Sequence, residues 1–501
     1  MRKIYNEFFI LIFIIFISCS HSSYQTVRLF QTSKSGDQLT DKGLVSLVEK
    51  SDPKLATIVI VPTIKYQKIV GFGGAFTESS ASILDQLSEA NRSEVIQKYF
   101  GPNGAAYSLT RTHINSCDFS LSTYAYDMVA NDKELKHFTI QEDIDDLIPF
   151  IQDAMKVSKD GFKILASPWT APPWMKENNS WYDGALKQEY YPTWALYFSK
   201  YIHAYQEQGI DIWGVTVENE PLGNGGQWES MTFTPETHAE FIKDHLGPQF
   251  KADRLETEIL VYDQNRDHLQ EWASMLQDPE VAKYVWGTAV HWYSSTVDWY
   301  PDELNAVHEQ YPDKALMHTE GCIDNIGNDE PEGAWLKDDW YWEKEATDWG
   351  FYWAAEEDKA GHPPYAPVYR YARDIIGGLN SWLTGWIDWN MVLDFQGGPN
   401  HANNWCVAPV LADPETDAVY YTPLYYVMAH FSKFIRPGAH RIDVQSNLDD
   451  LMVTACENPD GSIIVEILNQ GDQPINFQIQ LKNQVYPVTI PDNTLQTLVI
   501  Q

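Results

Sequence analysis

Apolar residues along this chain follow two rhythms. From residue 66 to about 437, short aliphatic, β-branched runs alternate with longer amphipathic stretches. After that span the pattern is the period-two alternation of short strands broken by turn residues, and before it residues 24–65 are polar with one clear strand at 57–61. The central runs predict strands at residues 68–72, 108–114, 162–168, 212–217, 258–263, 286–292, 315–319 and 383–389. Helix start signals lie between them. Thr139-Ile140-Gln141-Glu142 has the form of a capping box ahead of an amphipathic run over 143–157. Thr234-Pro235 and Thr422-Pro423 each set a capping hydroxyl before a first-turn proline, the latter leading a helix over 424–434. Strand-then-helix units repeated around that span predict a (β/α)8 TIM barrel, with an open doubly wound sheet as the alternative.

After Pro437-Gly438 the chain switches to alternating strands such as Ser462 to Leu468, separated by turn clusters at Asn458-Pro459-Asp460-Gly461 and Asn469-Gln470-Gly471-Asp472. So thin a β module needs more strands, and 57–61 supplies one. The expected organisation is a barrel over 66–437 with an all-β, sandwich-like side domain from 24–65 plus 438–501. Residues 1–19 read as an export signal: Arg2 and Lys3, then an apolar run over 8–17 too short to span a bilayer. Ile17-Ser18-Cys19 resembles a bacterial lipoprotein cleavage site, with Cys19 as the lipidated residue and ordinary secretion as the alternative. The expected location is therefore the cell surface or periplasm.

Charge narrows the partners. The chain carries 35 basic and 70 acidic residues, a formal charge of −35. That field repels nucleic acid and anionic lipid and favours a neutral or cationic partner, although a salt-adapted surface would look the same. The five cysteines form no zinc pattern and no dense disulfide framework. Cys117 and Cys322 read as packed thiols beside a site.

The fourth predicted strand carries the clearest chemistry. Trp213-Gly214-Val215-Thr216-Val217 is an apolar run that ends abruptly in Glu218-Asn219-Glu220-Pro221. Carboxylates buried at a strand end are costly unless paired or protonated, so they point to use. In a (β/α)8 barrel the active site lies at the carboxyl ends of the strands. The other ends carry Arg111 to Asp118, Ser167-Pro168-Trp169, Asp263-Gln264, His291-Trp292-Tyr293, Thr319-Glu320-Gly321 and Asp388-Trp389-Asn390. Amides and carboxylates for hydroxyls, mixed with aromatic faces for C–H surfaces, suit a sugar. Strands four and seven face each other across a barrel mouth, so two glutamates at their ends can flank a glycosidic bond, with Arg111 keeping one of them ionised.

The chain resembles glycoside hydrolase family 30, which includes glucosylceramidases and β-1,6-glucanases. The matching stretches are Ile69-Val70-Gly71-Phe72-Gly73-Gly74-Ala75, Ser116-Cys117-Asp118-Phe119-Ser120, Ala166-Ser167-Pro168-Trp169-Thr170 and Glu218-Asn219-Glu220-Pro221. Val290-His291-Trp292-Tyr293, Gly397-Gly398-Pro399-Asn400 and His430 to Ile435 continue the match in order. The resemblance implies Glu220 as acid/base and Glu320 as nucleophile. It implies sugar contacts for Asp118, Trp169, Asn219, Tyr293, Trp389 and Asn404, and supporting places for Arg111, His291 and Glu218. No metal or cofactor is expected. The expected activity is that of a retaining β-glucosidase acting on β-1,6-linked glucose in glucans. Glucosylceramide is the alternative substrate, and a silent glycan-binding lipoprotein the alternative class. The loop after Glu320 departs from the rest: residues 321–360 hold Trp335, Trp340, Trp342, Trp349 and Trp353 with twelve acidic and three basic residues. It reads either as an aromatic wall over the site or as a buried tryptophan stripe with an acidic outer face.

Overall fold

The computed structural model describes residues 26–324, 333–347 and 355–501. Residues 1–19, read above as an export signal with Cys19 at its end, lie outside the described residues, as do Trp349 and Trp353. Eight parallel strands close into a barrel: β1 (Gly71–Phe76), β2 (Leu109–Ile114), β3 (Lys163–Pro168), β4 (Gly214–Thr216), β5 (Glu258–Asn265), β6 (Val285–His291), β7 (Ala315–Glu320) and β8 (Leu383–Asn390). Each pairs with its neighbour in sequence, and β8 closes on β1 with Gly385 opposite Gly71. All eight coincide with the runs read from the sequence, shifted by a few residues at most. Gly73 explains part of the glycine run in β1: a Cβ there would stand 1.9 Å from the Leu109 carbonyl oxygen of β2.

The barrel floor is apolar. Leu109, Leu165, Leu260, Ala289, Met317 and Ile387 form one buried cluster, with Trp213 and Trp286 packed against it. Helices cover the outside. Thr234 and Thr422 cap their helices, Pro235–Phe241 and Pro423–Phe434, through side-chain bonds to backbone N–H groups. The Thr139 segment differs from the capping box. The helix breaks into Gln141–Ile144 and Leu147–Val157, and Asp146 caps the second piece. The cause is Asp143, fully buried, whose carboxylate accepts hydroxyl bonds from Tyr124, Tyr126 and Tyr205 at 3.0, 2.6 and 2.7 Å. Anchoring that acid inward outweighs the local capping preference.

Strands from both ends of the chain share one nine-stranded array. Val27–Ser33, Thr40–Leu44 and Ala56–Lys68 interleave with six strands between His440 and Ile500. Its core includes Ile58, Ile60, Val465, Phe477 and Leu498 and is separate from the barrel's. Ala56–Lys68 runs on into β1, and Ile69 and Gly438 exchange backbone bonds across the junction through Ala439 and Ile69 carbonyls.

The loop after β7 resolves toward packing in its described part. Trp335, Trp340 and Trp342 are all buried. Trp335 donates its indole N–H to the Phe395 carbonyl at 2.8 Å and lies 5.0 Å from the Trp405 ring. Asp338 accepts from Tyr420 and from Gln38 of the β array, and Glu343 lies 3.7 Å from Lys34. These tryptophans bind the loop to the barrel and side array.

Candidate active site

The mouth of the barrel is built two residues further along the strands that form its floor. Leu109 is followed by Arg111, Leu165 by Ser167, Gly214 by Thr216, Ala289 by His291, Met317 by Thr319 and Ile387 by Trp389. Side chains alternate faces along a strand, so each pair points inward together. The strands thus stack a polar layer on an apolar one.

On β5 the alternation slips. Counting two on from Leu260 reaches Tyr262, but Tyr262 and Asp263 have φ of +77° and +64°, and the β5–β6 register shifts between Tyr262 and Gln264. This bulge turns Asp263 inward in place of the tyrosine, the re-aiming such irregularities perform. Asp263 is fully buried and is the hub of the layer. Its Oδ2 accepts from Arg111 at 2.8 Å, Ser167 at 3.1 Å and Thr216 at 2.6 Å. Its Oδ1 meets His291 Nε2 at 2.9 Å and accepts from Thr319 at 2.6 Å. Burial alone would raise this carboxyl, but Arg111, His291 and the hydroxyls hold it well below the usual carboxylate range. Asp263 belongs to no role inferred from the sequence. The only signal for it was an acid at the end of an apolar strand, and strand alternation placed its neighbour at the interior position.

Arg111 distributes one charge over four acceptors, one of them Ser167 Oγ at 3.1 Å. Besides Asp263, it donates to Asn219 Oδ1 at 2.8 Å and to Glu320. It lies 4.8 and 5.6 Å from the Trp169 and Trp389 rings, which stack on each other with centroids 5.2 Å apart. Glu320 ends β7 with 7% of its surface exposed. Its Oε1 accepts from the Tyr293 hydroxyl at 3.0 Å. Burial pushes this carboxyl above the usual range, with Glu220 adding to the effect, while His291 and Arg111 pull against it. Gly321 follows for space: a Cβ there would meet the Trp292 and His318 rings at 2.9 Å.

Glu220 stands opposite. Its backbone is left-handed, φ +49°, and its N–H donates to the Asp263 carbonyl at 2.9 Å. A non-glycine residue in this region directly before proline is strained and persists only where its surroundings fix it. Glu220 Oε1 meets His291 Nδ1 at 3.0 Å. Burial lowers the His291 pKa, but Glu320, Asp263 and Glu220 together raise it to about 9.

Asp118 closes another side. Burial and the nearby Glu320 push its carboxyl up to about 8, against the pull of the Asn404 amide, which donates to it at 3.0 Å. The structure therefore gathers Arg111, Asp118, Trp169, Asn219, Glu220, His291, Tyr293, Glu320, Trp389 and Asn404 around one mouth. Glu218 stands apart. It is fully buried, and burial, with Asp263, drives its carboxyl well up, eased by Lys176. It shares no hydrogen bond with Glu220 or Glu320 among the described residues.

Glu220, His291 and Glu320 place ligand atoms within 4.8 Å of one another, close enough in principle for a metal ion. The donor set does not suit one. Both ring nitrogens of His291 are committed to carboxylates, and its raised pKa leaves no free lone pair at neutral pH.

Comparison with known proteins bears on this geometry. The glycosyl hydrolase family 30 TIM-barrel domain matches residues 69–435, and the family 30 beta sandwich domain matches residues 438–498. Lysosomal acid glucosylceramidase of Mus musculus is 35% identical over 433 residues, covering 84% of this chain and 79% of that one. SrfJ from Salmonella typhimurium superposes with a TM-score of 0.84 at 29% identity, covering 95% of this chain and 99% of the other. The endo-beta1,6-glucanase BT3312 does so with a TM-score of 0.81 at 27% identity and the same coverage.

Proposed function

The chain belongs to glycosyl hydrolase family 30 and is a glycoside hydrolase, and from that premise we propose that it is a retaining β-glucosidase with Glu320 as nucleophile and Glu220 as acid/base. One observation carries the stereochemistry. One carboxylate oxygen of Glu220 and one of Glu320 lie within 4.8 Å of each other, a closeness that favours retention. Retention needs carboxyl groups about 5–5.5 Å apart, whereas inversion needs about 6.5–9.5 Å to admit a water between them.

Glu320 attacks the anomeric carbon, and Glu220 gives its proton to the leaving oxygen. Glu220 then takes a proton from water, which hydrolyses the glucosyl-enzyme and restores both groups. Arg111 and Tyr293 aim Glu320 and stabilise its negative charge. His291 holds Glu220 in place through its Nδ1, with Asp263 fixing the ring from behind through Nε2. Asp118, Asn219, Asn404 and the stacked Trp169 and Trp389 grip the glucose.

For the leaving group, the reading is β-1,6-linked glucose in a glucan. Its supports are the likeness to BT3312 over nearly the full length and the charge of −35, which opposes approach to an anionic lipid surface. A second reading, glucosylceramide, draws on the mouse relative and on a specific observation. Leu121, Met128, Val129, Leu222 and Val297 are exposed on loops that follow barrel strands, so aliphatic groups rim the same face as the site. The chain's export to the cell surface or periplasm is part of this proposal. The deciding experiment compares a β-1,6-glucan, a branched β-1,3-glucan and glucosylceramide as substrates, with products sized. Glucose or short gentio-oligosaccharides from the first alone fit the primary reading, and turnover of glucosylceramide alone replaces it. An aryl β-glucoside left intact would sink the enzyme assignment in favour of a glycan-binding protein.

A further inference from the structure

We propose that Cys322 and Cys406 are a disulfide site that ties the loop carrying Glu320 to the loop carrying Asn404. Their Sγ atoms lie 3.0 Å apart, although 84 positions separate them in the chain. Both are buried, and they flank a short antiparallel pairing in which Ile323 faces Val407 and Asp324 faces Cys406. A disulfide has sulfurs about 2.05 Å apart, so closure asks for a movement of about 1 Å. The location gives the bond a purpose. Cys322 lies two residues beyond Glu320, with its sulfur 3.6 Å from the Tyr293 hydroxyl that donates to Glu320. Cys406 lies two residues beyond Asn404, which donates to Asp118. A covalent link here would fix, from outside the sugar site, the spacing between two of its walls.

The inference rests on the export reading, because persistent disulfides belong to oxidising compartments. Burial raises both thiols, Cys322 to about 11 and Cys406 well above its ordinary value, so they are unreactive once folded. The bond therefore forms while the loops are still open. One chain thiolate attacks the disulfide of a thiol–disulfide oxidoreductase or of oxidised glutathione, releasing one reagent thiolate. The second chain thiolate then attacks the bound chain sulfur and releases the other. Two protons leave the chain thiols, and the reagent disulfide is reduced by two electrons to two thiols. Cys117 and Cys456 stay free.

The test uses the full chain, refolded from denaturant with either oxidised or reduced glutathione and then mapped by mass spectrometry without reduction. The expected result is a Cys322–Cys406 linked peptide in the oxidised sample only. Its Tm should exceed that of the reduced sample by about 3–6 °C. A double variant, Cys322→Ala with Cys406→Ala, should have the same Tm under both conditions. Linked peptides involving Cys117 or Cys456, or no linked peptide in the oxidised sample, would overturn the proposal. Protein isolated from the native host separates the two readings. A linked pair after refolding, with free thiols in the native protein, leaves the site standing and removes the export reading.

Discussion

The floor and the mouth of the barrel are built by the same strands, two residues apart, and obey opposite rules. On the floor, Leu109, Leu165, Leu260, Ala289, Met317 and Ile387 are fully buried and form one apolar cluster. Such a layer is stabilised by transfer from water and tolerates shape changes at moderate cost. At the mouth, Arg111, Asp263 and His291 are just as buried, yet each survives only because the others are ionised and correctly placed. A buried charge network contributes little net stability, but breaking it is expensive. The lesson is that burial alone does not distinguish a core from a site. What does is whether the buried groups are interchangeable.

That contrast can be broken from either side. The largest effect is expected at the mouth: Glu320→Gly should lower kcat on an aryl β-glucoside by on the order of 10⁴–10⁶-fold. Azide should restore turnover as the α-glucosyl azide. A β-azide would exchange the roles of Glu320 and Glu220. Next comes Asp263→Asn. It leaves Arg111 and His291 without their shared anion, and should cost about 3–5 kcal/mol in denaturant unfolding. It should also lower kcat by on the order of 10²-fold through misplacement of Glu220 and Glu320. A fully active, fully stable D263N would refute the hub.

Leu260→Ala, on the floor of the same strand, should cost about 2–5 kcal/mol of stability while kcat stays at the wild-type value. If kcat fell with it, floor and mouth would not be separable layers.

Two pH effects sharpen the comparison at smaller scale. His291 has its folded pKa raised from 6.5 to about 9. Its contribution to stability is thus fully present below pH 6.5 and lost as pH rises through 9. In D263N that window should narrow from its alkaline end, as read by Tm against pH. Asp118 is neutral up to about pH 8 and then ionises beside Glu320. Wild-type kcat/KM should fall above pH 8, by up to about tenfold per unit. Asp118→Asn, which keeps the neutral form throughout, should lack that decline, whatever its activity at pH 7.

Much of this was legible in order along the chain. Short aliphatic, β-branched runs between amphipathic stretches located all eight barrel strands, and the rule that barrel sites lie at strand ends drew Arg111, Glu220, His291 and Glu320 together. Local chemistry misled where a distant contact outweighed it. The Thr139 box yielded to the three tyrosines that hold Asp143 inward, and the described tryptophans after Glu320 became packing because Phe395, Trp405 and Tyr369 were there to receive them. Glu218, adjacent to the site in sequence, joins neither glutamate because the strand ends at Thr216, after which strand alternation no longer sets where side chains point.

The sequence by itself determined the alternation of strands and helices, the apolar floor and the two glutamates, since each is written in residue type and spacing. Only the tertiary structure decided that Asp263 rather than Tyr262 enters the barrel. A single bulge in β5 inverts the faces of that strand's end, and it shows only as a shift in the β5–β6 register, a property of the pairing and not of β5 read alone. The approach of Cys322 to Cys406 was decided in the same way, by two loops meeting in space. Contacts of that kind have no period, so no pattern along the chain announces them.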